Sequence, residues 1–546
     1  RMAFTVTASG GLCLLAGVLM LGHVAGSYDL DVVLAAGDTL RAHAWYRPVL
    51  LLIALGALTK SAQFPFHFWL PHAMAAPTPV SAYLHSATMV KAGIFLLMRL
   101  WPVLSGTPEW TWLIGGAGVA TLMLASFIAI FQHDLKGLLA YSTISHLGLI
   151  TALLGMGTPL AMVAAIFHTL NHATFKASLF MAAGIIDHEC GTRDMRQLRG
   201  LRHLMPITAT LAIVASAAMA GVPFLNGFLS KEMFFAETLL VGSSSNYWMA
   251  FAAVVMGIFS VAYSLRFIYV FFGRPASDLP RTPHEPPRWM RFPVEVLVVL
   301  CLAVGMMPAL SVGPLLQLGA QAVLGEQLPH YDLAVWHGVN LPLLMSVIAL
   351  LGGIALYSLR RPLYRWYDGL PDLNALETFG QTLKHAYTRT SRAMAVVQAV
   401  SLQRYLAVML LALVLVVGWT LWPMTSLGGP VALTPVDPLT LIGLLAMALV
   451  ALLTVLFHRE RLRALVTLGL VGLIVSMLFA RFSAPDLALT QLVVEVVTIL
   501  LMLLVLNFMP ATTPQESSSL RRLRDLCVAA AGGGLFAVLS YAVLTR

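Results

Sequence analysis

Charged residues are scarce in this sequence. Only 10% of its 546 residues are Asp, Glu, Lys or Arg, whereas 59% are hydrophobic. A soluble globular domain typically carries about 25% charged residues, so this chain cannot cover itself with a water-facing surface. Its apolar residues also occur in blocks of roughly 20, the length that crosses about 30 Å of hydrocarbon. The low charge therefore excludes an ordinary soluble protein and predicts a membrane protein.

Cysteine is scarce as well, and the signatures of soluble enzymes are missing. The four cysteines show neither CxxC nor metal-site spacing, which argues against a disulfide framework. The sequence has no phosphate-cradling loop, nucleophile elbow or dinucleotide fingerprint in a convincing context. We therefore expect no enzyme active site, no resident cofactor and no metal.

Long apolar segments are abundant, and they lack the period-2 alternation of membrane strands. The sequence predicts an all-α polytopic membrane protein with about fifteen transmembrane helices. The predicted spans are 2–26, 48–70, 78–101, 111–131, 135–156, 158–187, 205–237, 247–273, 293–320, 339–359, 403–424, 436–457, 462–482, 486–508 and 526–545.

Basic residues of the loops are confined to every second loop, with Arg41 and Arg47 near the N-terminus as the exception. The net charge of +9 therefore reports topology rather than nucleic-acid binding, since cytoplasmic loops of membrane proteins are rich in Lys and Arg. The face that carries the basic loops, called the basic face below, is predicted to be cytoplasmic, and the other face is called the bare face. Basic loops are 188–204, 274–292, 360–402, 458–463 and 509–525, and bare loops are 238–246, 321–338 and 425–435.

Three segments are predicted to lie outside the bilayer or to mark a boundary. The connection 360–402 is too polar to span, and a surface helix is predicted at 372–395. A Ser- and Thr-rich linker is predicted at 512–520. Because the chain starts at Arg1 beside one apolar block and ends at Arg546 behind another, we expect it to be a piece of a longer protein.

Two predicted spans are interrupted by proline in similar ways. The first carries Pro65, and the second carries Gly221, Pro223 and Gly227. Proline removes a backbone donor, and a membrane tolerates this only where protein or cavity water satisfies the freed groups. A matched pair of broken helices is typical of transporters built from repeats.

Lysines lie near the middle of two spans. Lys60 is central in 48–70 and Lys91 in 78–101, with His85 six residues before Lys91. A central lysine costs about 3 kcal/mol on insertion scales. One interpretation is a structural lysine bonded to neighbouring carbonyls; the other is a site that takes up and releases protons.

A row of titratable residues lies on one helix face. His168, His172 and Lys176 are spaced by four, and Lys231 follows the second break. Three titratable groups in line favour a proton wire. Zinc binding by the two histidines is a weaker alternative, since no third ligand is evident, and satisfied interior histidines remain a third.

A carboxylate near the middle of span 486–508 is the remaining candidate. Glu495 is functional by default, because an unpaired charge at that depth is expensive. Gln491 lies one turn earlier on the same face, and Asp486 lies at the span's end, where it could also cap the helix. The three residues are candidates for a cation or proton site.

These residues occur in stretches that resemble a known family. Residues 58–93, Tyr141 to Gly148, His168 to Lys176 and Pro223 to Lys231 resemble the core of the antiporter-like proton-translocating proteins. That family includes the large membrane subunits of complex I and of Mrp-type multisubunit cation/proton antiporters. Residues 436–510 are similar to the extra C-terminal region of the largest Mrp subunits, which the complex I subunits lack.

The resemblance implies two inverted five-helix repeats with a hydrated proton path of lysines and histidines. Lys60, His85 and Lys91 match the first repeat, and His168, His172, Lys176 and Lys231 match the second. Glu495 matches the acidic residue of the C-terminal region. The implied domains are a core at 1–320, connecting helices at 321–425, an Mrp-type C-terminal module at 426–510, and a linker with the start of a further membrane module at 511–546.

The implied function is Na⁺/H⁺ antiport in a bacterial inner membrane, as the large subunit of a complex with other small membrane subunits and no nucleic acid. The family's first repeat also uses a glutamate on an earlier helix, before the point where this chain begins. We therefore expect this chain alone not to transport. Alternatives are a redox-driven proton-pumping subunit of complex I or a membrane hydrogenase, and a scaffold without transport.

Overall fold

The computed structural model of the protein describes residues 2–241, 247–275, 279–326, 328–369, 402–421, 435–508, 510 and 519–545. The surface helix predicted at 372–395 lies outside these residues, as does most of the predicted linker at 512–520. The chain forms two compact units, residues 1–380 and 381–546. The described residues form no β-strand, and their pairings of β type are isolated bridges such as the one between Asp134 and Asp194. The predicted all-α class is therefore confirmed.

Twenty helices are described in the first unit. They are α1 (Met2–Ala25), α2 (Leu30–Ala35), α3 (Gly37–Ala42), α4 (Tyr46–Lys60), α5 (Trp69–His72), α6 (Thr78–Ala82), α7 (Ala92–Arg99), α8 (Trp101–Leu104), α9 (Pro108–Trp110), α10 (Gly116–Phe131), α11 (Leu135–Met156), α12 (Pro159–Cys190), α13 (Pro206–Ala220), α14 (Asn226–Val241), α15 (Trp248–Tyr269), α16 (Arg288–Met306), α17 (Pro308–Ser311), α18 (Gly313–Leu324), α19 (Leu341–Ser358) and α20 (Arg360–Asp368).

Five helices are described in the second unit. They are α21 (Leu402–Leu421), α22 (Pro438–Leu456), α23 (Arg461–Arg481), α24 (Pro485–Leu506) and α25 (Ser519–Leu544). Helix α23 packs against both α22 and α24, and α21 packs against α25.

Eleven of the fifteen predicted spans are confirmed as helical stretches long and apolar enough to cross a membrane, so the chain is a multi-pass membrane protein. Of the eleven, predicted span 293–320 is confirmed only as Arg288–Met306, and the residues after it form α17 and α18. The other four differ for physical reasons. Span 48–70 ends as a helix at Lys60, and span 205–237 is two helices separated by its break. Span 158–187 belongs to the 32-residue α12, which carries several ionisable residues, and span 403–424 contains a shorter apolar stretch, Met409–Trp419.

Helices α11 and α12 form the centre of the first unit. From Leu135 to Met156 almost every residue of α11 is buried, although the helix carries Ser, Thr and His side chains. Helix α12 packs against α11, α13, α14 and α16. Polar groups in α11 and α12 are therefore surrounded by the chain's own helices rather than by lipid.

Two arginines on the bare face, where the loop pattern predicts few, have specific partners. Arg41 donates to the carbonyl of Pro102 at 2.8 Å and pairs with Asp38. Arg47 pairs with Glu109 at 2.9 Å. Arg41 thus holds α3 against α8, and Arg47 holds the start of α4 against α9. These contacts give both arginines a structural role that the charge pattern does not predict.

Candidate functional site

The first helix break begins at the end of α4. The sequence predicts a continuous span over 48–70 with Lys60 at its centre, but the helix ends at Lys60. Ala62 then adopts a left-handed backbone with φ of +49°, and Pro65 lies in the following turn. Lys60 is thus a helix-end residue. It is half-buried, and its amine has no hydrogen bond or ion pair to another described residue.

Side chains bind the backbone groups around this break. The indole N–H of Trp69 donates to the carbonyl of Thr59 at 3.0 Å. The backbone N–H of Phe64 donates to the hydroxyl of Thr121 at 2.8 Å. Side chains of the protein thus form hydrogen bonds with backbone groups freed by the break, as a membrane interior requires.

The second break separates α13 from α14. Gly221 ends α13 with φ of +88°, and Phe224 has φ of +65° after Pro223. At Gly227 a Cβ atom would collide with the carbonyl of Ala218, so only glycine permits this approach of the two helices. The predicted break residues therefore lie at the interruption. Gly221 is required there by its positive φ, and Gly227 is required by the close approach of the two helices.

The span Thr78–Arg99 is distorted as well, although no proline or glycine marks it internally at that point. After α6 the chain forms one π turn, Tyr83–Ala87, and Thr88 leaves helical geometry with φ of −116° and ψ of −89°. One π turn in a helix is often found at a functional site. His85 lies in this turn, and Lys91 ends the short 3₁₀ turn that follows.

Lys91 connects this distorted helix to α12. Its side chain is buried, and Nζ donates to the carbonyl of Thr169 at 2.8 Å. His85 is buried too, with its ring centroid 6.2 Å from that of Phe180. Its Nδ1 has no hydrogen-bond partner in the described part of the chain.

Two histidines from different helices are joined directly. Nε2 of His168 on α12 lies 2.9 Å from Nδ1 of His146 on α11. The other nitrogen of His168 lies 2.9 Å from the hydroxyl of Ser230, and Nε2 of His146 lies 3.4 Å from the hydroxyl of Tyr263. Both histidines are fully buried. A proton can therefore move between hydroxyl and imidazole groups along this chain.

His172 is the least satisfied member of the row. Its ring centroid is 5.3 Å from that of His146, yet neither of its nitrogens has a partner among the described residues. The amide nitrogen of the neighbouring Asn171 lacks one too. Buried polar groups in native proteins are normally paired with protein or ordered water, so these atoms favour a hydrated cavity. No described cluster of three or more His, Cys, Asp or Glu has an arrangement that could hold a metal ion.

Lys176 lies one helical turn beyond His172 and is fully buried. Its Nζ donates to the hydroxyl of Ser142 on α11 and lies 3.2 Å from Sδ of Met219 on α13. Within the described residues no carboxylate lies within ion-pair distance of this amine. Lys176 is therefore held by neutral groups only.

Lys231 occupies the second break. Its Nζ donates to the carbonyls of Met219 at 2.7 Å and Ala220 at 3.1 Å, and to the hydroxyl of Ser260 at 2.8 Å. Those two carbonyls belong to the last turn of α13 and have no further helical residue to bond. Met219 thus contacts Lys176 through its sulfur and Lys231 through its backbone.

An acidic cavity begins beside Lys231, on the side of the bare face. It has a volume of about 250 Å³ and is lined in part by Glu232, Glu237, Asp332 and His337. His337 lies 3.8 Å from a carboxylate oxygen of Glu232 and 3.7 Å from one of Asp332. The carboxylate of Glu237 accepts a hydrogen bond from Thr158 at 2.9 Å. Lys231 and Glu232 are adjacent on α14, yet Lys231 bonds to groups of the helix break whereas Glu232 lines this cavity.

Glu495 lies in the second unit, half-buried on α24. The amide of Gln491 donates to its carboxylate at 3.3 Å. The carboxylate lies directly against Gly472 of α23, where a Cβ atom would collide with it. Asp486 is exposed, and the N-cap residue of α24 is Ala484, so the suggested capping role for Asp486 is wrong.

Several residues that touch the row carry no signal in the sequence. Ser142, Ser230, Ser260 and Tyr263 supply its hydroxyl groups, and such residues are too common in membrane helices to stand out. Lys136 is a clearer omission. It is buried at the start of α11 and lies 3.9 Å from a carboxylate oxygen of Asp187. A lysine at the edge of an apolar span cannot be told from a loop residue by sequence.

Two family descriptions match this chain. Residues 1–260 match the family described as NADH:quinone oxidoreductase/Mrp antiporter, TM. Residues 446–511 match the family described as the D subunit of MBH. The first covers the helix breaks and the row of titratable residues, and the second covers Glu495.

Among curated proteins, the chain is 54% identical to the probable A/B subunit of a K⁺/H⁺ antiporter from Rhizobium meliloti. That alignment takes in all of this chain and 56% of the relative. It is 38% identical to the A subunit of the Na⁺/H⁺ antiporter from Alkalihalophilus pseudofirmus, over 94% of this chain and 68% of the relative. The chain thus spans little more than half of the first relative and about two thirds of the second.

Among solved structures, an Mrp complex is more similar to this chain than a respiratory complex I. The Mrp complex from Dietzia matches 100% of this chain and 59% of the matched chain, with a TM-score of 0.67 and 36% identity. Respiratory complex I from Thermus thermophilus matches only 59% of this chain and 68% of its own, with a TM-score of 0.51 and 25% identity. The chain belongs to the A-subunit family of Mrp-type antiporters.

Proposed function

We propose that this chain is the proton-carrying part of the large subunit of a monovalent cation/proton antiporter. The proposal rests on a series of buried titratable side chains that the protein's own helices enclose. They are Lys91, His146, His168, His172, Lys176 and Lys231. A row of this kind is costly in a membrane unless it conducts or switches. The names and structures of the relatives support the same activity.

The first part of the path comprises Lys60, His85 and Lys91. Lys60 and Lys91 both lie where a helix is interrupted, and the bond from Lys91 to the carbonyl of Thr169 brings its amine beside the turn that carries His168. We propose that protons pass from this group to α12. Lys60 is half-buried, whereas Lys91, Lys176 and Lys231 are buried, so its amine is the one of these four that is most open to an incoming proton.

The central part comprises His168, His172 and Lys176, together with His146. The bonded pair of His146 and His168 relays protons by exchanging hydrogen bonds. The unpaired nitrogens of His172 require water on either side of the ring. Water and imidazole together would then connect the pair to Lys176, one turn further along α12.

Lys231 is proposed as the last lysine before the bare face. Its amine is held by carbonyls and a hydroxyl, so a proton can leave without separating a salt bridge. Glu232 follows it directly and lines the acidic cavity with Asp332 and His337. We propose that this cavity is where protons enter or leave.

The transported cation is proposed as a class, a monovalent metal ion. Na⁺ is the ion that the resemblance implies, while the names of the relatives include both Na⁺ and K⁺. Glu495 with Gln491 is proposed as a cation or proton site of the C-terminal module, and Asp486 as an exposed group at its entrance. Other small membrane subunits are the proposed partners, and the bacterial cell membrane is the proposed location.

Antiport in everted membrane vesicles tests the proposal. The complete complex containing this subunit is expressed in cells that lack their own antiporters. Collapse of the proton gradient is then followed by acridine fluorescence after addition of Na⁺ or K⁺. Lys176→Met and Lys231→Met should each lower the rate about tenfold or more. Leu240→Met, a volume-conserving change at an exposed residue of the same helix as Lys231 and outside the acidic cavity, should leave it intact.

The same assay separates the alternatives. Normal rates in both lysine variants, at normal expression, would contradict the proton path and favour a scaffold. Transport that requires a redox substrate, or redox centres that co-purify with the complex, would favour the redox-driven pump. The preferred ion follows from whether Na⁺ or K⁺ collapses the gradient.

A further inference from the structure

A basic pocket on the basic face has no part in the proposed proton path. It has a volume of about 330 Å³, within the range of ~300–1,000 Å³ that small-molecule sites occupy. It lies where α15 and α19 end, beside the turn between α10 and α11. Its lining includes His133, Arg196, Arg199, Arg266, Tyr269, Tyr357, Arg360, Arg361 and Tyr364.

Two of its arginines are fixed by neutral groups. Arg266 is buried and donates to the carbonyl of Ile130 and to Nδ1 of His133, the latter at 2.6 Å. Burial and the neighbouring Arg266 lower the pKa of His133, which keeps the ring neutral and able to accept this bond. Arg360 lies over the rings of Tyr357 and Tyr269, with its Cζ 4.5 and 5.2 Å from their centroids. Such contacts orient a guanidinium group without neutralising it.

The pocket carries an excess of positive charge. Arg196 pairs with Asp194 at 2.6 Å, and this hydrogen bond lowers the pKa of Asp194, so that carboxylate stays ionised and cancels one charge. The other four arginines of the pocket have no carboxylate within ion-pair distance among the described residues. Clustered like charges repel one another, and a bound anion would remove that repulsion. The uncompensated arginines are Arg199, Arg266, Arg360 and Arg361.

The depth of the pocket indicates where such an anion comes from. Helices α15 and α19 are both long and apolar enough to cross a membrane, and the pocket lies at their ends on the basic face. The short helix α20 follows α19. Its Tyr367 stacks on Phe131 with centroids 3.8 Å apart, and its Trp366 lies edge-on to Phe127 and is half exposed. Tyr and Trp concentrate at the level of lipid headgroups.

We propose that this pocket binds the phosphate headgroup of an anionic phospholipid from the leaflet on the basic face. Guanidinium groups bind phosphate oxygens through paired hydrogen bonds, and basic pockets between helices on the cytoplasmic side suit such headgroups. The lipid's acyl chains would extend along the apolar surfaces of α15 and α19. Free inorganic phosphate has the same charge chemistry but lacks those chains.

Lipid retention by the purified antiporter complex tests the proposal. The complex is delipidated and incubated with phosphatidylglycerol or phosphatidylcholine, and bound lipid is counted by native mass spectrometry. The double variant R360Q/R361Q should retain about tenfold less phosphatidylglycerol than the unmodified complex. The matched control R274Q/R288Q removes two exposed arginines of the same face outside the pocket and should retain it normally.

A second variant covers the case in which R360Q/R361Q fails to fold. R199Q changes one exposed arginine of the pocket and should lower retention about fivefold. Equal loss in pocket and control variants would overturn the proposal, as would equal retention of phosphatidylcholine. Displacement of the lipid by millimolar inorganic phosphate would identify a free-anion site and overturn it too, whereas persistence of the lipid in phosphate would support it.

Discussion

The helices around α11 and α12 and the helices α22 to α24 place their polar residues in different surroundings. In the first group the histidines and lysines are enclosed by side chains of the same unit, and nearly all of α11 is buried. In the second group α24 has no buried residue, and the described contacts of Glu495 are with Gly472 of α23 and with Gln491 of its own helix. The core thus encloses its polar residues with its own helices, whereas the described helices of the C-terminal module leave Glu495 half-buried.

The largest expected effect is on the core. Lys91→Met should reduce the antiport rate about tenfold or more, because it removes the amine that connects the distorted helix to α12. Vesicle antiport at matched expression measures this, and Met89→Leu in the same short turn serves as the control. A normal rate in Lys91→Met would show that the enclosed row does not depend on this connection.

A smaller effect is expected in the C-terminal module. Glu495→Gln should lower the rate several-fold while the subunits still co-purify, because the change removes the charge but keeps the shape and the contact with Gln491. Rates over a series of Na⁺ and K⁺ concentrations measure this. If the variant instead prevents co-purification, Glu495 has a role in assembly and its assignment to ion movement is wrong.

Gly472→Ala should lower the antiport rate less than Glu495→Gln does. A Cβ atom there collides with the carboxylate of Glu495, which must move aside. We expect a loss of about twofold to threefold in antiport, since the side chain can adopt another rotamer. The matched control is Gly443→Ala on α22, where the nearest atom is the flexible end of Leu478 at 3.2 Å. Equal effects of the two changes would mean that Glu495 is not the sensitive contact.

The smallest effect concerns pH and the start of α22. Asp437 caps this helix, and its hydrogen bond from Thr440, with help from Arg481, lowers its pKa. A lowered folded pKa means that the cap is intact above the unfolded value of about 3.9 and is lost as pH falls through the folded value. Amide hydrogen exchange at the start of α22 should therefore stay unchanged from pH 7 to pH 5. Faster exchange within that range, after correction for the intrinsic rate, would contradict it.

Much of the architecture could be predicted from composition and spacing. Apolar blocks indicated eleven spans correctly because membrane helices need a fixed apolar length, and Pro65 and Pro223 marked the breaks because a lost backbone donor is costly in lipid. The distortion around His85 could not be predicted, since Ser86 and Thr88 are compatible with a regular helix. The distorted segment packs against α12, and contacts between helices leave no local signal in the sequence.

The site residues were predictable as types but not as contacts. A spacing of four placed His168, His172 and Lys176 on one face of α12, and the structure keeps them in line. The spacing does not reveal that His168 bonds to His146 from another helix, because such pairing depends on packing between α11 and α12. A lone histidine in a span is often structural, so on sequence alone His146 is a weaker candidate than the histidines and the lysine of α12.

The C-terminal module is weaker evidence for an Mrp subunit over a complex I subunit than its sequence suggested. Residues 446–511 match a family named for a subunit of MBH rather than of an antiporter, so the name of this family does not by itself assign the module to antiporters. Similarity along the whole chain is the stronger discriminator. The match to the Mrp complex covers all of this chain, whereas the match to complex I covers 59% of it.

The end of α13 has a further electrostatic consequence. The peptide dipoles of a helix add up to roughly half a negative charge at its C-terminus, and α13 ends inside the protein with two of its carbonyls on Lys231. The counter-charge of this ammonium is therefore a piece of backbone that cannot itself take up a proton. In the proposed proton path, the hold of Lys231 on its proton would then depend on the distance from its amine to the end of α13. A movement of the break would change that distance, and the proposal therefore implies a coupling between chain conformation and proton occupancy at this residue.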